Sequence, residues 1–438
     1  MPDAQIIAST VAERLQSAFG LVVFCLMAWW VGRLLGARGV PWRVILWGIT
    51  LQFAFAAIVL FSPGLLEQVQ NAVQKLLDFT LEGCRMVFGD SLVEGSARIT
   101  DADGKPGGVA VLGFNFAVRV LPTIIFVSML TAILYHIGVL GLVVRGLAWV
   151  MHKTMGTSGA ETLSTAANIF VGQTEAPLVV KPFLAMATRS ELMAIMVGGF
   201  ANIASGVIVA YTQFLRDFVP NAGGHLAAAC LVSAPATLLV SKLLVPETQT
   251  PETAGSVGFR IERADANLID AATRGTSEGV ALAINVGAML IAFTALVAML
   301  NALFGWVGGW FGFPSLTMES VLGWMGAPLM WLTGCPWEDC HKAGALLGVK
   351  TVLNEFVAYL QMSQALTADR NYLTPRSALL TTYALCGFAN FASVGIQIGG
   401  ISTLAPSRRA DLSRLGLLAM FGGAIASLMG ACVVGVLV

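Results

Sequence analysis

Charge is what this sequence has least of. Only 11% of its 438 residues are Asp, Glu, Lys or Arg, and 25 cations balance 25 anions. Soluble domains average roughly 25% charged and about 45–50% apolar residues. Here 56% are hydrophobic and the mean hydropathy is +0.78. A water-soluble core of this size has nowhere to hide so much apolar surface, so the chain reads as a polytopic membrane protein. The zero balance leaves no basic face for nucleic acid and no acidic tail.

Other absences narrow the chemistry. Seven cysteines (Cys25, Cys84, Cys230, Cys335, Cys340, Cys386, Cys432) are scattered through mostly apolar runs, an odd set that builds no disulfide framework. In GCPWEDCH (334–341), Cys335, Cys340 and His341 neighbour Glu338 and Asp339. The spacing is not C-x-x-C and no second cluster accompanies it. The two acids read instead as the negative start of a helix. His136, His152 and His225 lie far apart without an H-E-x-x-H pair, which argues against an enzyme. DADG (101–104) resembles a calcium loop, but Leu112 stands where the bidentate Glu is needed. AFGLVVFCLMAWWVGRLL (18–35) is too long for a cleaved leader and reads as a first membrane helix flanked by Arg33.

Apolar runs are what the chain has in plenty. A crossing of about 30 Å of hydrocarbon needs about 20 residues. Segments near 18–36, 42–62, 115–144, 191–215, 225–245, 278–310, 376–402 and 411–438 meet that length. Between the second and third, Leu66, Val69, Val73, Leu76, Leu77 and Thr80 form one apolar stripe, the pattern of a helix lying in the interface. Residues 90–108 are turn-rich and read as a loop. Stretches 158–187 and 336–367 are apolar but polar at their centres. Folded in two, each arm of about 12 residues reaches about 18 Å, so both read as re-entrant hairpins whose tips need protein or water around them. The expected fold is therefore all-α, with eight transmembrane helices, two re-entrant hairpins and one interfacial amphipathic helix.

Counted with the N-terminus outside, 14 of the 25 Lys and Arg fall on cytoplasmic connections and eight outside. The short links at Arg33–Arg43 and Arg408–Arg414 carry most of that bias, which sets both termini on the periplasmic or extracellular side.

An internal repeat organises the rest. GFANIAS (199–205) and GFANFAS (387–393) agree at six of seven positions, each after a hairpin and each opening a crossing helix. Three crossings separate the two starts, so the copies enter from opposite faces, as in inverted-topology repeats with broken helices and a midplane site. The chain then divides into 1–110 (two helices and the interfacial helix), 111–250 (first repeat), 251–277 (cytoplasmic loop) and 278–438 (second repeat). A Glu at the bilayer centre costs roughly 2.5–3.5 kcal/mol on insertion scales. Yet Glu175 and Glu355 sit at the two hairpin tips, with Asn168, Gln173, Asn202, Asn354, Asn390 and Ser393 beside them. Such a set points to a polar cavity for a hydrophilic solute. A passive channel needs a continuous polar stripe instead, and polarity here is confined to tips and breaks.

At these residues the sequence resembles the concentrative nucleoside transporter family, the sodium/nucleoside cotransporters. GQTEAPL (172–178), NEFVAY (354–359) and GFAN with the small residues after it (387–393) match the family's motifs in order, and LPTIIFVSMLTAILYHIGV (121–139) and GCPWEDC (334–340) are similar too. The resemblance implies a homotrimer in which the third and sixth helices form a scaffold and hairpins and broken helices form a moving transport domain. It implies that Gln173, Thr174 and Glu175, with Val207, face a nucleobase, and that Glu355, Asn390 and Ser393 hold a ribose with Phe388 packed beside it. It implies sodium as coupling ion, held by Asn168, the Val171 carbonyl, Asn202 and the Ile203 carbonyl. The family usually has Ser or Thr where Asn202 stands, and some bacterial relatives couple to protons, so a proton symporter stays open. So does a carrier of another polar, sugar-like solute. Short termini resemble bacterial members, which implies the inner membrane.

Overall fold

The computed structural model describes residues 9–62, 64–100, 106–113, 115–255, 265–313 and 315–438. The chain opens with α1 (Val11–Leu34), started by a reciprocal cap in which Glu13 N donates to Thr10 Oγ1 and Thr10 N donates to Glu13 Oε2. Next come α2 (Trp42–Phe61) and α3 (Leu65–Phe88). On α3 the buried residues are Val73, Leu77, Thr80 and Cys84, three or four apart, while Glu67, Gln68, Asn71, Lys75, Asp78 and Glu82 are exposed together with the apolar Phe79, Met86 and Val87, a two-sided pattern that suits an interfacial helix. Gln70 ties it down, its Oε1 accepting from Gly223 N at 2.8 Å.

The segment read as a loop is partly ordered. It forms α4 (Asp90–Glu94) and an antiparallel pair, β1 (Ser96–Thr100) with β2 (Pro106–Val111), in the register Ser96↔Val111 to Ile99↔Gly108. The turn composition marked a reversal, and two short extended arms close it. The DADG fragment lies outside the described residues.

From here one order of elements occurs twice. The first set is α5 (Phe116–Arg119) running into α6 (Leu121–His136), α7 (Val139–Met155), the first hairpin, the broken pair α10 (Arg189–Ala201) and α11 (Ser205–Leu215), and α12 (Ala222–Leu244). The hairpin comprises α8 (Gly159–Ala167), a tip, a 3-10 turn over Ala176–Val180 and α9 (Lys181–Leu184). The second set is α13 (Leu268–Trp310), α14 (Met318–Leu332), hairpin helices α15 (Trp337–Val352) and α16 (Glu355–Ala368), the broken pair α17 (Pro375–Leu385) and α18 (Phe391–Leu404), and α19 (Arg409–Leu437). Long helix, oblique helix, hairpin, broken helix, long helix: this is the inverted repeat, larger than the heptad that announced it.

Among the described residues seven helical stretches are long and apolar enough to cross a membrane, and the expected eighth, 376–402, is divided between α17 and the shorter apolar α18. Apolar run length placed one boundary differently. The run 115–144 is not one span: it stops at His136 and turns at Ile137–Gly138 before α7 begins. Helix α14 was missed because only the apolar length of whole spans was counted.

The core lies in the hairpins, α10–α12 and α19. Of the apolar stretch of α12, 89% is buried, against 17% for α13. At 43 residues α13 is roughly 64 Å long, twice the hydrocarbon thickness, so it tilts or projects. Its contact with α6 is very close: a Cβ at Gly275 would lie 2.6 Å from Ala132 Cβ, and one at Gly279 2.7 Å from Ile125 Cα. Two glycines four apart are what lets helix backbones approach this way in lipid.

Candidate functional site

Four discontinuities meet in this fold. Helix α10 ends at Ala201 and Asn202 is extended (φ −118°, ψ 163°) before α11 starts. In the other copy Gly387 adopts φ +143°, a region L residues avoid, and a Cβ there would sit 2.8 Å from Phe200 O. The two breaks are therefore packed backbone to backbone, and Phe388 N donates to Asn202 O at 3.3 Å. The tip of the first hairpin joins them through Ser205 N donating to Phe170 O at 3.4 Å. The second hairpin joins through Asn390 Nδ2 donating to Glu355 Oε2 at 3.2 Å. Spare backbone groups and amide side chains thus collect in one place.

The identical heptads do not act identically. Asn390 caps α18, its Oδ1 accepting from Ser393 N at 2.8 Å. Asn202 caps nothing ahead of it, because α11 starts only after Ala204. Its Nδ2 donates back to Gly198 O at 3.4 Å and its Oδ1 accepts from Ser233 Oγ at 2.6 Å. What decides the difference is a neighbour on α12, invisible in the heptad itself.

Glu355 opens α16, with Asn354 Oδ1 accepting from Val357 N at 2.9 Å as the cap. The carboxylate is buried, at 4% exposure, and a helix N-terminus suits its charge. Each oxygen has one donor: Tyr211 OH at 2.8 Å on Oε1 and Asn390 Nδ2 on Oε2. Tyr211 escaped sequence reading, standing alone on an apolar helix. Its ring stacks on Tyr359 at 4.4 Å, and Tyr359 OH donates to Thr382 O at 2.7 Å. Lys350, fully enclosed on α15, donates to Ala384 O at 2.9 Å and so satisfies a carbonyl freed by the break after α17.

Gln173 heads a second group. Its Nε2 donates to Ser393 Oγ at 3.3 Å and its Oε1 accepts from Gln397 Nε2 at 3.2 Å. Gln397 also donates to Met196 O at 3.1 Å, while its own buried Oε1 has no partner. It too was missed, though a Gln one helical turn after Ser393 on an apolar helix was the available signal. The remaining expected residues sit differently. Val207 is buried one turn before Tyr211, and Phe388 is half-buried in the second break. Thr174 packs on α18, where a Cβ at Gly400 would meet its Cγ2 at 2.8 Å. Glu175 is exposed, folded over Gly172 and accepting only from Thr174 Oγ1 at 3.0 Å. The two hairpin glutamates, equivalent in the sequence, are thus unlike: one is enclosed and doubly bonded, the other free to turn.

The oxygens expected to hold a cation lie behind the first hairpin tip. Asn168 Nδ2 donates to Ser164 O at 3.2 Å, which turns its Oδ1 away from that helix. Among the described residues no donor reaches Asn168 Oδ1 or the Val171 carbonyl, and the Ile203 carbonyl meets only Cys230 Sγ, at 4.0 Å. Beside them the buried hydroxyls of Ser164, Thr165 and Thr237 have no partner; Thr165 and Thr237 approach the same face of Gly198 as Asn168 does. An all-oxygen, under-bonded set fits a hard cation. Asn202 fits less well, since Ser233 already uses its oxygen.

The chain as a whole is similar to known proteins. Three family models match: the N-terminus of Na+ dependent nucleoside transporters over residues 19–91, a nucleoside recognition "gate" over 117–218, and the C-terminus of Na+ dependent nucleoside transporters over 225–435. An uncharacterized transporter of Haemophilus influenzae is 40% identical over 434 residues, covering 97% of this chain and 98% of the relative. Sodium/nucleoside cotransporter 1 of Rattus norvegicus is 38% identical over 440 residues, but the chain spans only 64% of its length. Among solved structures, CNTnw in an inward-facing substrate-bound state superposes with a TM-score of 0.85 at 39% identity, covering 96% of this chain and 97% of that one. A doubly substituted CNTnw in an outward-facing state gives 0.86 at the same identity, covering 98% of each. Family models over both halves, full-length identity and a shared fold agree with the motifs: this chain belongs to the concentrative nucleoside transporter family.

Proposed function

We propose that the chain imports nucleosides across a cell (inner) membrane by cotransport with sodium, through alternating access. The observation that carries this reading is the Glu355 carboxylate. It offers about four acceptor positions, of which Tyr211 and Asn390 fill two. Two acceptors remain for the paired donors of a ribose diol. Gln173, with both a donor and an acceptor, suits the edge of a base, and Ser393 and Phe388 lie between the two groups. Thr174, Glu175 and Val207 complete the base side, Glu175 swinging in from its exposed position. Sodium then binds Asn168, the carbonyls of Val171 and Ile203 and, with less room, Asn202.

The transport domain in this reading consists of the hairpins and broken helices, moving past the α6–α13 pair. Repeats 111–250 and 278–438 are its two halves, with 1–110 as a preceding unit and 251–277 as a connecting loop. The apolar, exposed face of α13 (Ile284, Ile291, Met299 and Leu303 among it) supports a homotrimer built around that helix. Both termini then lie on the periplasmic side. Proton coupling is the second reading: Ser233 Oγ already donates to the Asn202 oxygen, which leaves that oxygen a single acceptor position for a cation.

Radiolabelled uridine uptake into proteoliposomes tests all of this, under an inward sodium gradient, an inward proton gradient, or neither. Accumulation driven by sodium alone is the expected result. Proton-driven accumulation keeps the nucleoside site and removes the ion assignment. No uptake of uridine or adenosine under any gradient overturns the substrate.

Gln397 gives a finer test of the base side. In Gln397→Leu, Gln173 Oε1 loses its donor, at about 1–3 kcal/mol for a buried unpaired group. The uridine KM should rise by about tenfold with little change in maximal rate, because the ribose side is untouched. An unchanged KM would show that Gln173 needs no positioning.

A further inference from the structure

We propose that the cytoplasmic end of α2 and one face of α7 form a binding site for the phosphate headgroup of an anionic phospholipid. None of its residues is assigned above to solute or ion. It is an open cavity of about 690 Å³ between the start of α2 and the last two turns of α7, lined by Arg43, Arg145, His152, Lys153 and Trp149. That volume lies within the roughly 300–1,000 Å³ typical of small-molecule sites. Arg145, Trp149, His152 and Lys153 recur at i, i+4, i+7 and i+8, so α7 presents them as one stripe. No carboxylate lines the cavity, and Arg43, Arg145 and Lys153 pair with none among the described residues.

Three details say that the cavity is built. Arg43 crosses from α2 and donates to Thr154 O at 2.8 Å and Lys153 O at 2.9 Å, closing the C-terminus of α7 while leaving Nη1 unused. His152 Nδ1 donates to Thr157 O at 2.5 Å, which fixes the ring at the cavity wall. Lys153 Nζ lies 5.0 Å over the Trp149 ring, which narrows the positions its ammonium takes at the open cavity.

The surroundings choose the occupant. Around these cations the exposed side chains are large and apolar: Trp42 at 73%, Leu46 at 66%, Leu142 at 73% and Trp149 at 56% exposure. A free phosphate or nucleotide has no use for such a flank. A phospholipid uses both parts, its phosphate on the cations and its acyl chains along Leu46 and Leu142. The cavity also lies on the side that Lys and Arg mark as cytoplasmic, where anionic headgroups attract basic residues by about 1 kcal/mol each. Gly156 and Thr157 join α7 directly to the cap of α8. A headgroup held here anchors the root of the first hairpin at the membrane surface.

The test is native mass spectrometry of the detergent-purified full chain offered equimolar phosphatidylglycerol and phosphatidylcholine. The unmodified protein should retain phosphatidylglycerol. Arg145→Ala with Lys153→Ala should retain about thirtyfold less, two cations at about 1 kcal/mol each having been removed. Arg145→Lys with Lys153→Arg should restore retention, and Arg409→Ala with Arg414→Ala, removing cations elsewhere on the cytoplasmic side, should leave it unchanged. Equal loss in both alanine pairs would reduce the effect to general surface charge and overturn the site. Millimolar inorganic phosphate raising the melting temperature of lipid-free protein as much as phosphatidylglycerol does would make it a free-phosphate site and overturn the lipid.

Discussion

Glu355→Gln is expected to abolish nucleoside uptake while the purified protein stays folded and monodisperse. The substitution is nearly isosteric, so packing around α16 is preserved. Its effect is electrostatic: one acceptor oxygen becomes an NH2 donor. That donor then faces Tyr211 OH or Asn390 Nδ2, both of which donate to the carboxylate in the native protein. The site loses the acceptors of one carboxylate oxygen proposed for the ribose diol, and Tyr211 OH has to reverse its hydrogen bond to accept from the new NH2. Hydrogen bonds to charged groups contribute about 1.5–3 kcal/mol each. Two lost together correspond to a fall of about 10²-fold or more in uptake at limiting uridine. Uptake and thermal unfolding should be measured on the same preparation. Transport at the native rate would sink the ribose assignment.

The second large effect is expected at Asn168→Ala. Asn168 Oδ1 is under-bonded, as are the nearby Val171 carbonyl and the hydroxyls of Ser164, Thr165 and Thr237. Removing the one amide oxygen from this set takes away a ligand of the coupling ion. Loss even of outer-shell support typically lowers metal affinity by about 10–100-fold, so the sodium concentration for half-maximal uptake should rise by at least that range. Asn202→Ser should behave differently. Its oxygen is already committed to Ser233, and the smaller hydroxyl preserves or improves the sodium response. The measurement is uridine uptake against sodium concentration at constant ionic strength. An Asn168→Ala curve superimposed on the native one would remove the ion from this place.

How much of this was legible beforehand depends on the distance over which each feature is decided. Glu355, Asn390, Ser393 and Gln173 were legible because polar groups inside apolar runs are too unfavourable to occur without a reason, and the repeated heptad put them in register. Tyr211 and Gln397 were not, since one polar residue on an apolar helix says nothing of what it faces. Glu175 and Glu355 looked equivalent and are not. The first sits at an exposed tip over Gly172, whereas the second begins a helix and meets two donors. Asp339 was expected to serve its own helix, and it does lie in the first turn of α15. Its Oδ2, however, accepts from Thr374 N and Thr374 Oγ1, binding the second hairpin to the start of α17.

Hydropathy, the spacing of apolar runs and the two GFAN copies suffice by themselves for a membrane protein with two hairpins and an inverted repeat. These are one-dimensional consequences of a solvent that tolerates neither charge nor unpaired backbone. Tertiary structure alone decided which of the tip and break residues share a hydrogen bond, that Asn202 turns back to Ser233 while Asn390 caps a helix, and where the span 115–144 bends. The bonds among tip and break residues depend on partners 31 to 220 residues away. Local sequence carries no record of a partner that only folding brings within 3 Å.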